Sequence, residues 1–289
     1  MMYNKFKNKG SESDMGLFSI FKKHDKNKKE YLFVETMKEP AEPAEPAEPV
    51  AENSKSVVNL TKNAELNKKI SLRKEIVSAE VKKHNISVNI ARVVFVLDHS
   101  GSMRGMYKDG TVQDVLERIF PVAMHFDDNA EMEFYWFDSL YKELEPVNYD
   151  TIDGYVERVI LSQKDHFGGT CYAPIMNEVF NRYAKREPMN IPTFVIFITD
   201  GNNSDKRASK DVLIEASKYN IFWKFIGIGS ETFEFLEKLD NLKGRFIDNA
   251  NYISINNINS ISDNTLYSLI LEEYNDWLNA CKSVGIKIS

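Results

Sequence analysis

The 289-residue chain is long enough for one large α/β domain with a tail, and it carries 43 acidic against 37 basic side chains. This mildly acidic balance argues against general nucleic-acid binding, which needs a basic face to neutralise phosphates. No run approaches the roughly 20 apolar residues of a transmembrane segment. Cys171 and Cys281 are far apart and in no metal-ligand spacing, so we expect a disulfide-free cytoplasmic protein.

Residues 1–58 differ in composition from the rest of the chain. Proline stands at every third position from Pro40 to Pro49, which removes amide donors and predicts an extended Glu-Pro-Ala spacer. Ahead of it, residues 1–29 hold eight lysines and a short apolar stretch. We expect a basic, disordered solubilising tail, with weak peripheral contact to an anionic membrane as the alternative.

Residues 59–90 predict an amphipathic helical segment that precedes the domain, because apolar residues recur at near-helical spacing from Leu66 to Val81. From 91 to 289, apolar runs alternate with helical patterns. The predicted strands are 93–97, 131–137, 141–144, 193–198, 221–228 and 245–255. The predicted helices are one from about 112, where Thr111 and Asp114 resemble a capping box, and 149–161, 174–185, 205–218, 233–239 and 262–281.

This alternation predicts a doubly wound, Rossmann-like α/β fold. We expect a mostly parallel central sheet with one short antiparallel edge strand, at 141–144, and helices on both faces. The run at 93–97 is uninterruptedly apolar and is typical of a buried parallel strand.

Acids and hydroxyls follow the ends of two predicted strands and a Gly-Gly loop. Three of them come at every second position after strand 93–97, one follows Gly168-Gly169, and one follows strand 193–198. Because ligands bind at the carboxyl ends of strands in such sheets, we predict a metal site there. Oxygen ligands of this kind suit Mg²⁺, Mn²⁺ or Ca²⁺ better than Zn²⁺. The candidate metal ligands are Asp98, Ser100, Ser102, Thr170 and Asp200.

A structural interpretation of the same residues is that Ser100 and Ser102 cap a helix and Asp200 makes a turn. The placement of all three pieces at the expected strand ends, in the expected order, favours the metal site. His99 and His166 are predicted to be loop histidines near solvent rather than ligands or proton carriers. The three tryptophans are predicted to lie in the core, at Trp136, Trp223 and Trp277.

The set Asp-x-Ser-x-Ser, a distant Thr and a distant Asp resembles the metal-ion-dependent adhesion site of von Willebrand factor A (vWA) domains. The stretches 105–113, 168–174 and 199–207 further resemble the tellurium-resistance, TerF-like branch of these domains. The resemblance covers roughly 60 to 288. It implies that Ser100, Ser102 and Thr170 bind the ion directly, while Asp98 and Asp200 act through water or hydrogen bonds.

The resemblance also implies a function. We expect a bacterial cytoplasmic adaptor in tellurite, toxic-cation or general stress resistance. It would bind Mg²⁺ and a protein partner that offers an Asp or Glu carboxylate to the metal. The alternative is a Mg²⁺-dependent phosphotransfer or hydrolytic enzyme. Against the enzyme, the chain lacks a G-x-x-x-x-G-K-[ST] loop, a G-x-S-x-G elbow and a second acid two residues after Asp98, so we predict no catalytic residues.

Overall fold

The computed structural model describes residues 53–127, 129–163 and 166–288, with side chains from residue 63 onward. The predicted tail and spacer therefore lie almost wholly outside the described residues, and the domain divisions near 58 and 90 stay predictions. The strands are β1 (Arg92–Asp98), β2 (Glu133–Phe137), β3 (Tyr141–Glu143), β4 (Thr193–Thr199), β5 (Ile221–Ile228) and β6 (Ala250–Ile255). The α-helices are α1 (Asn53–Lys83), α2 (Arg104–Lys108), α3 (Thr111–Phe126), α4 (Ala173–Asn181), α5 (Lys206–Ala216), α6 (Glu234–Asp240), α7 (Asp263–Leu271) and α8 (Tyr274–Val284).

The six strands form one sheet in the order β3-β2-β1-β4-β5-β6. Every neighbouring pair is parallel except β2 and β3, which are antiparallel. The predicted fold class is confirmed, including the short antiparallel edge strand. All residues of β4 and β5 are buried, as expected for parallel strands that are covered on both faces.

Helices cover both faces of this sheet and divide the core in two. Val93, Phe95 and Leu97 of β1 pack into the core shared with α1, α3, α7 and α8. Val94 and Val96 point to the other face and pack with α4, α5 and α6. Because successive side chains of a strand point to opposite faces, one apolar run supplies both layers.

Helix α1 packs against α3 and α7. Its buried side chains share the core of the first face, and Arg73 Nε donates to Asp263 Oδ2 of α7 at 3.1 Å. None of the helices in the described ranges combines the length and apolar character needed to span a bilayer. The buried residues of α1 are Leu66, Ile70, Val77 and Val81.

The predicted helix over 149–161 is wrong for its first half. Only Val156–Ile160 and Leu161–Gln163 are helical, as a π-helical turn followed by a 3₁₀ turn. Asn148 Oδ1 accepts the amide of Thr151 at 3.1 Å, and the Thr151 hydroxyl accepts the amide of Asn148 at 2.9 Å. These local hydrogen bonds offer the backbone a turn in place of a helix.

Three predicted boundaries also differ from the structure. The helix predicted over 262–281 is two helices, α7 and α8, separated at Glu273, whose φ is 63°. Helix α3 begins after Gly110, at φ 88°, so Thr111 is not its N-cap. Asp109 instead accepts the Thr111 amide at 2.9 Å. Strand β6 begins only at Ala250, where pairing with Trp223 of β5 begins.

The strand order places a crevice between β1 and β4. The chain moves outward from β1 to β2 and β3, then returns past β1 to β4 and continues the other way. At such a reversal the connections leave to opposite faces of the sheet, which opens a crevice at the carboxyl ends of the two strands. Asp98 ends β1 and Asp200 follows β4, so both lie at this edge.

Candidate metal site

Asp98 is the fully buried last residue of β1. Its Oδ1 accepts the amide of Ser100 at 2.7 Å, and its Oδ2 accepts the hydroxyl of Thr199 at 2.5 Å. Burial raises the pKa of this carboxyl to about 6, with a smaller contribution from the charge of Asp200, although the two hydrogen bonds act to lower it. Asp98 is therefore held rigidly, with each carboxylate oxygen already accepting one hydrogen bond.

Ser100, Ser102 and Asp200 are joined by hydrogen bonds. Ser102 Oγ donates to Asp200 Oδ1 at 2.7 Å, and Ser100 Oγ lies 3.1 Å from Ser102 Oγ. Because a hydroxyl has one proton and Ser102 gives its proton to Asp200, the Ser102 oxygen is left to accept, and each serine hydroxyl keeps a lone pair for a further contact. Ser100 and Asp200 are buried, whereas Ser102 is exposed, so the group opens to solvent at Ser102.

The loop that carries Thr170 lies between the loops that follow β1 and β4. Gly101 donates its amide to Gly168 O at 3.0 Å, and Ser204 donates its amide to Thr170 O at 2.9 Å. A Cβ at position 168 would lie 2.7 Å from Asp138 Cγ, so this close approach requires glycine. These bonds place the Thr170 backbone. Among the described residues, no hydrogen bond joins its half-buried side chain to the other four candidate ligands.

Three supporting residues were not among the predicted ligands. Thr199 orients Asp98 through the hydrogen bond from its hydroxyl. The Tyr172 hydroxyl donates to Gly201 O at 2.5 Å, in the loop that follows Asp200. Burial raises the pKa of Tyr172 well above its ordinary value, which keeps it a donor. Asp205 accepts the amides of Tyr172 and Ala173 at 3.0 and 2.7 Å, which satisfies donors at the start of α4. Their partners are far away in sequence, so spacing gave no signal.

The prediction that His99 lies near solvent is wrong. Its side chain is 1% exposed, and its ring stacks on Phe167 at 4.1 Å and on Trp136 at 4.6 Å between centroids. The aromatic rings enclose His99 because Phe167 comes from the loop that carries Thr170. His166, by contrast, is exposed. The tryptophans are buried as predicted: Trp136, Trp223 and Trp277.

The residues at this edge fit a hard divalent cation. All the donors are carboxylate or hydroxyl oxygens, the ligand type that Mg²⁺, Mn²⁺ and Ca²⁺ prefer. Burial raises the pKa of both Asp98 and Asp200, and the negative charge of Asp200 raises that of Asp98 further. No cationic side chain is among the causes of either shift, so a bound cation would supply the charge that these two carboxylates lack. Nowhere in the described ranges, this edge included, do three His, Cys, Asp or Glu side chains form a metal-binding group, so the hydroxyls must supply ligands beside the two carboxylates.

Comparison with known proteins identifies the family. The family model vWA-TerF-like, described as the vWA found in the TerF C terminus, matches residues 90–287. The chain belongs to the vWA-TerF-like family. It is 42% identical over 219 residues to the protein YcbR of Bacillus subtilis (strain 168), covering 75% of this chain and 89% of YcbR. Membership of the vWA family supports a protein-interaction module.

Solved structures with a similar course of the chain include one protein with bound zinc and one with bound manganese. Proximal thread matrix protein 1 from the mussel byssus, with a zinc-occupied MIDAS motif, has a TM-score of 0.47 and 15% identity over 64% of this chain and 46% of its own. Manganese-loaded TRAP protein of Plasmodium vivax has a TM-score of 0.47 and 16% identity over 64% of this chain and 73% of its own.

Proposed function

We propose that the chain is a metal-dependent protein-binding module. Asp98, Ser100, Ser102, Thr170 and Asp200 hold one divalent cation, Mg²⁺ by preference, and a partner's Asp or Glu completes the coordination. The observation that carries this proposal is the hydrogen-bonded group formed by the two serines with Asp200, next to Asp98, at the crevice between β1 and β4. When bound, the cation supplies the positive charge that attracts the partner's carboxylate.

The hydrogen bonds of the site support a division of roles among these residues. Both oxygens of Asp98 already accept hydrogen bonds from Ser100 and Thr199, which suits a role through water rather than direct coordination. The hydroxyls of Ser100 and Ser102 are neutral, so direct ligands of this type leave a divalent ion under-neutralised. Ser100, Ser102 and Thr170 would leave part of the coordination of a bound Mg²⁺ to water, and the ion would there supply a position for a partner's carboxylate.

The geometry does not favour the enzyme alternative. A hydrolytic or phosphotransfer site needs a side chain positioned to move a proton at the reacting atom. His99 is the histidine next to the motif in sequence, and it lies enclosed between Phe167 and Trp136 instead of facing the crevice opening. Together with the family match, this supports binding over catalysis.

We further propose that the module works in the cytoplasm, in resistance to tellurite, other toxic cations or general stress. The family model takes its name from the TerF C terminus, which supports the tellurite assignment. The two cysteines, Cys171 and Cys281, are both free, which suits a reducing compartment.

Affinity capture from the native host, with quantitative mass spectrometry, tests the proposal. The wild type is compared with Asp200→Ala in Mg²⁺ and in EDTA, and Asp276→Ala is the matched control. Asp276 is exposed on α8, close to Phe222 at the start of β5 and so at the opposite edge of the sheet. We expect a partner retained by the wild type and the control in Mg²⁺ only. Capture that EDTA and Asp200→Ala both leave unchanged contradicts the proposal.

A further inference from the structure

Arg104 stands beside the candidate metal site at the start of α2, two residues after Ser102. It is exposed, and its guanidinium lies over the ring of Phe167, 5.2 Å from the centroid. Phe167 in turn stacks on His99, and His99 stacks on Trp136. A stacked column of buried and half-buried rings therefore supports this exposed guanidinium next to the site.

Arg104 differs from most of the described arginines, because none of the carboxylates in the described ranges forms an ion pair with it. Within the part of the chain that the structure describes, no ion pair involves Arg104, although the chain has a formal net charge of −6. Stacking on a ring leaves the edge of a guanidinium, with its N–H donors, open to a planar anion. The arginines that do form ion pairs are Arg73, Arg118, Arg158, Arg182, Arg186 and Arg245.

The positive charge of Arg104 is available to an anion that approaches the site. Its side chain is exposed, it begins the helix two residues after Ser102, and its guanidinium rests on Phe167 from the loop that carries Thr170. The charge of a divalent ion there would be offset by Asp98, Asp200 and the partner's first carboxylate, so the positive charge of Arg104 stays available for a second anion. The planar fork of arginine matches a second carboxylate in a two-bond geometry.

We propose that Arg104 binds a second carboxylate of the partner, next to the carboxylate that binds the metal. The module then selects protein segments in which two Asp or Glu side chains lie close together in sequence. This inference rests on the proposed function, because the first carboxylate needs the metal. It adds a residue that determines specificity without contacting the ion.

Synthetic peptides test the inference directly. The probes are capped six-residue alanine peptides with one aspartate, or with two aspartates at a separation of one, two or three positions. Binding to the full chain is followed by NMR chemical shifts in Mg²⁺ and in EDTA. For the wild type in Mg²⁺ we expect the best two-aspartate peptide to bind about five- to tenfold more tightly than the one-aspartate peptide.

The Arg104→Gln variant should lose this preference and keep its affinity for the one-aspartate peptide. Arg104→Lys should keep part of the preference, because the charge remains and the planar fork is lost. Arg186→Gln is the matched control. Arg186 is also an exposed arginine, and it lies in the helical turn Arg182–Arg186 that follows the C-terminal end of α4. Titration with Mg²⁺ alone gives a second readout: Arg104→Gln should bind the ion as tightly as the wild type or more tightly.

The outcomes separate the two proposals. If the one-aspartate peptide binds only in Mg²⁺ but a second aspartate adds nothing, the role of Arg104 is overturned and the proposed function stands. The same holds if the preference persists in Arg104→Gln. If peptide binding is absent, or is identical in Mg²⁺ and EDTA, both proposals fail.

Discussion

Lys224 is a fully buried lysine in the middle of β5, and it offers a sharp test of the packing around α7. Its ammonium donates to Leu269 O at 2.7 Å and to Glu272 O at 3.2 Å, and also to Asn251 Oδ1. The two carbonyls lie at the end of α7, where the chain breaks before α8. Lys224 thus satisfies carbonyls that a continuous helix would have bonded itself.

Burial lowers the pKa of Lys224 from 10.5 to about 7, against smaller raising effects of nearby acids, Glu272 first. The unfolded chain therefore holds this proton more strongly than the folded protein. The contribution of Lys224 to stability is lowest below pH 7 and rises as the pH increases from 7 towards 10.5. Linkage gives a gain of about 2 kcal/mol in the free energy of unfolding between pH 7 and pH 9.

The assay is urea unfolding of the wild type and of Lys224→Met at pH 7, 8 and 9. Groups common to both proteins cancel in the difference, so the wild type should gain about 2 kcal/mol over the variant across this range. A competing effect is that three oxygen acceptors match the three N–H groups of a charged ammonium. A difference that stays constant with pH would mean that these bonds outweigh burial, and would refute the reasoning.

Three further predictions concern the site, the tail and catalysis. Gly168→Ala should destabilise the fold by about 1–3 kcal/mol and weaken Mg²⁺ binding, because the new Cβ meets Asp138. In the control Gly105→Ala the new Cβ meets nothing within 4 Å. Scanning calorimetry measures the stability and titration calorimetry the Mg²⁺ affinity. Removal of residues 1–50 should shift the melting temperature by no more than a few degrees, since the described core begins at Leu66; a larger drop contradicts this. The protein with Mg²⁺ or Mn²⁺ should not hydrolyse nucleotides or phosphoesters; turnover abolished by Asp98→Ala would favour an enzyme.

The central strands could be predicted because their sequences are unambiguous. Strands β1, β4 and β5 are uninterrupted apolar runs, and parallel strands covered on both faces require such runs. The short antiparallel edge strand was also predicted, at 141–144, and the structure has it at Tyr141–Glu143. Asp98 and Asp200 come at the carboxyl ends of two predicted parallel strands, so the sequence alone predicted that they lie at the same edge of the sheet.

The remaining features depend on contacts between residues that are distant in sequence. The break between α7 and α8 lies where Lys224 of β5 donates hydrogen bonds to two carbonyls at the end of α7. The helical periodicity of the sequence does not predict such a contact. The burial of His99 depends on Phe167, which arrives from another loop. The role of Asp205 depends on the amides of α4, and that of Thr199 on a carboxylate of β1. Local patterns carry no information on these pairs.

Titration calorimetry with Mg²⁺ tests the central claim, that these residues form a divalent-cation site. The wild type, Ser102→Ala, Asp200→Ala and the control Asp276→Ala are compared at one pH and ionic strength. We expect one bound ion in the wild type and in the control. We expect the affinity of each site variant to be at least about tenfold weaker, which corresponds to about 1.4 kcal/mol. Equal Mg²⁺ affinity in all four proteins, or no binding to the wild type, would contradict it.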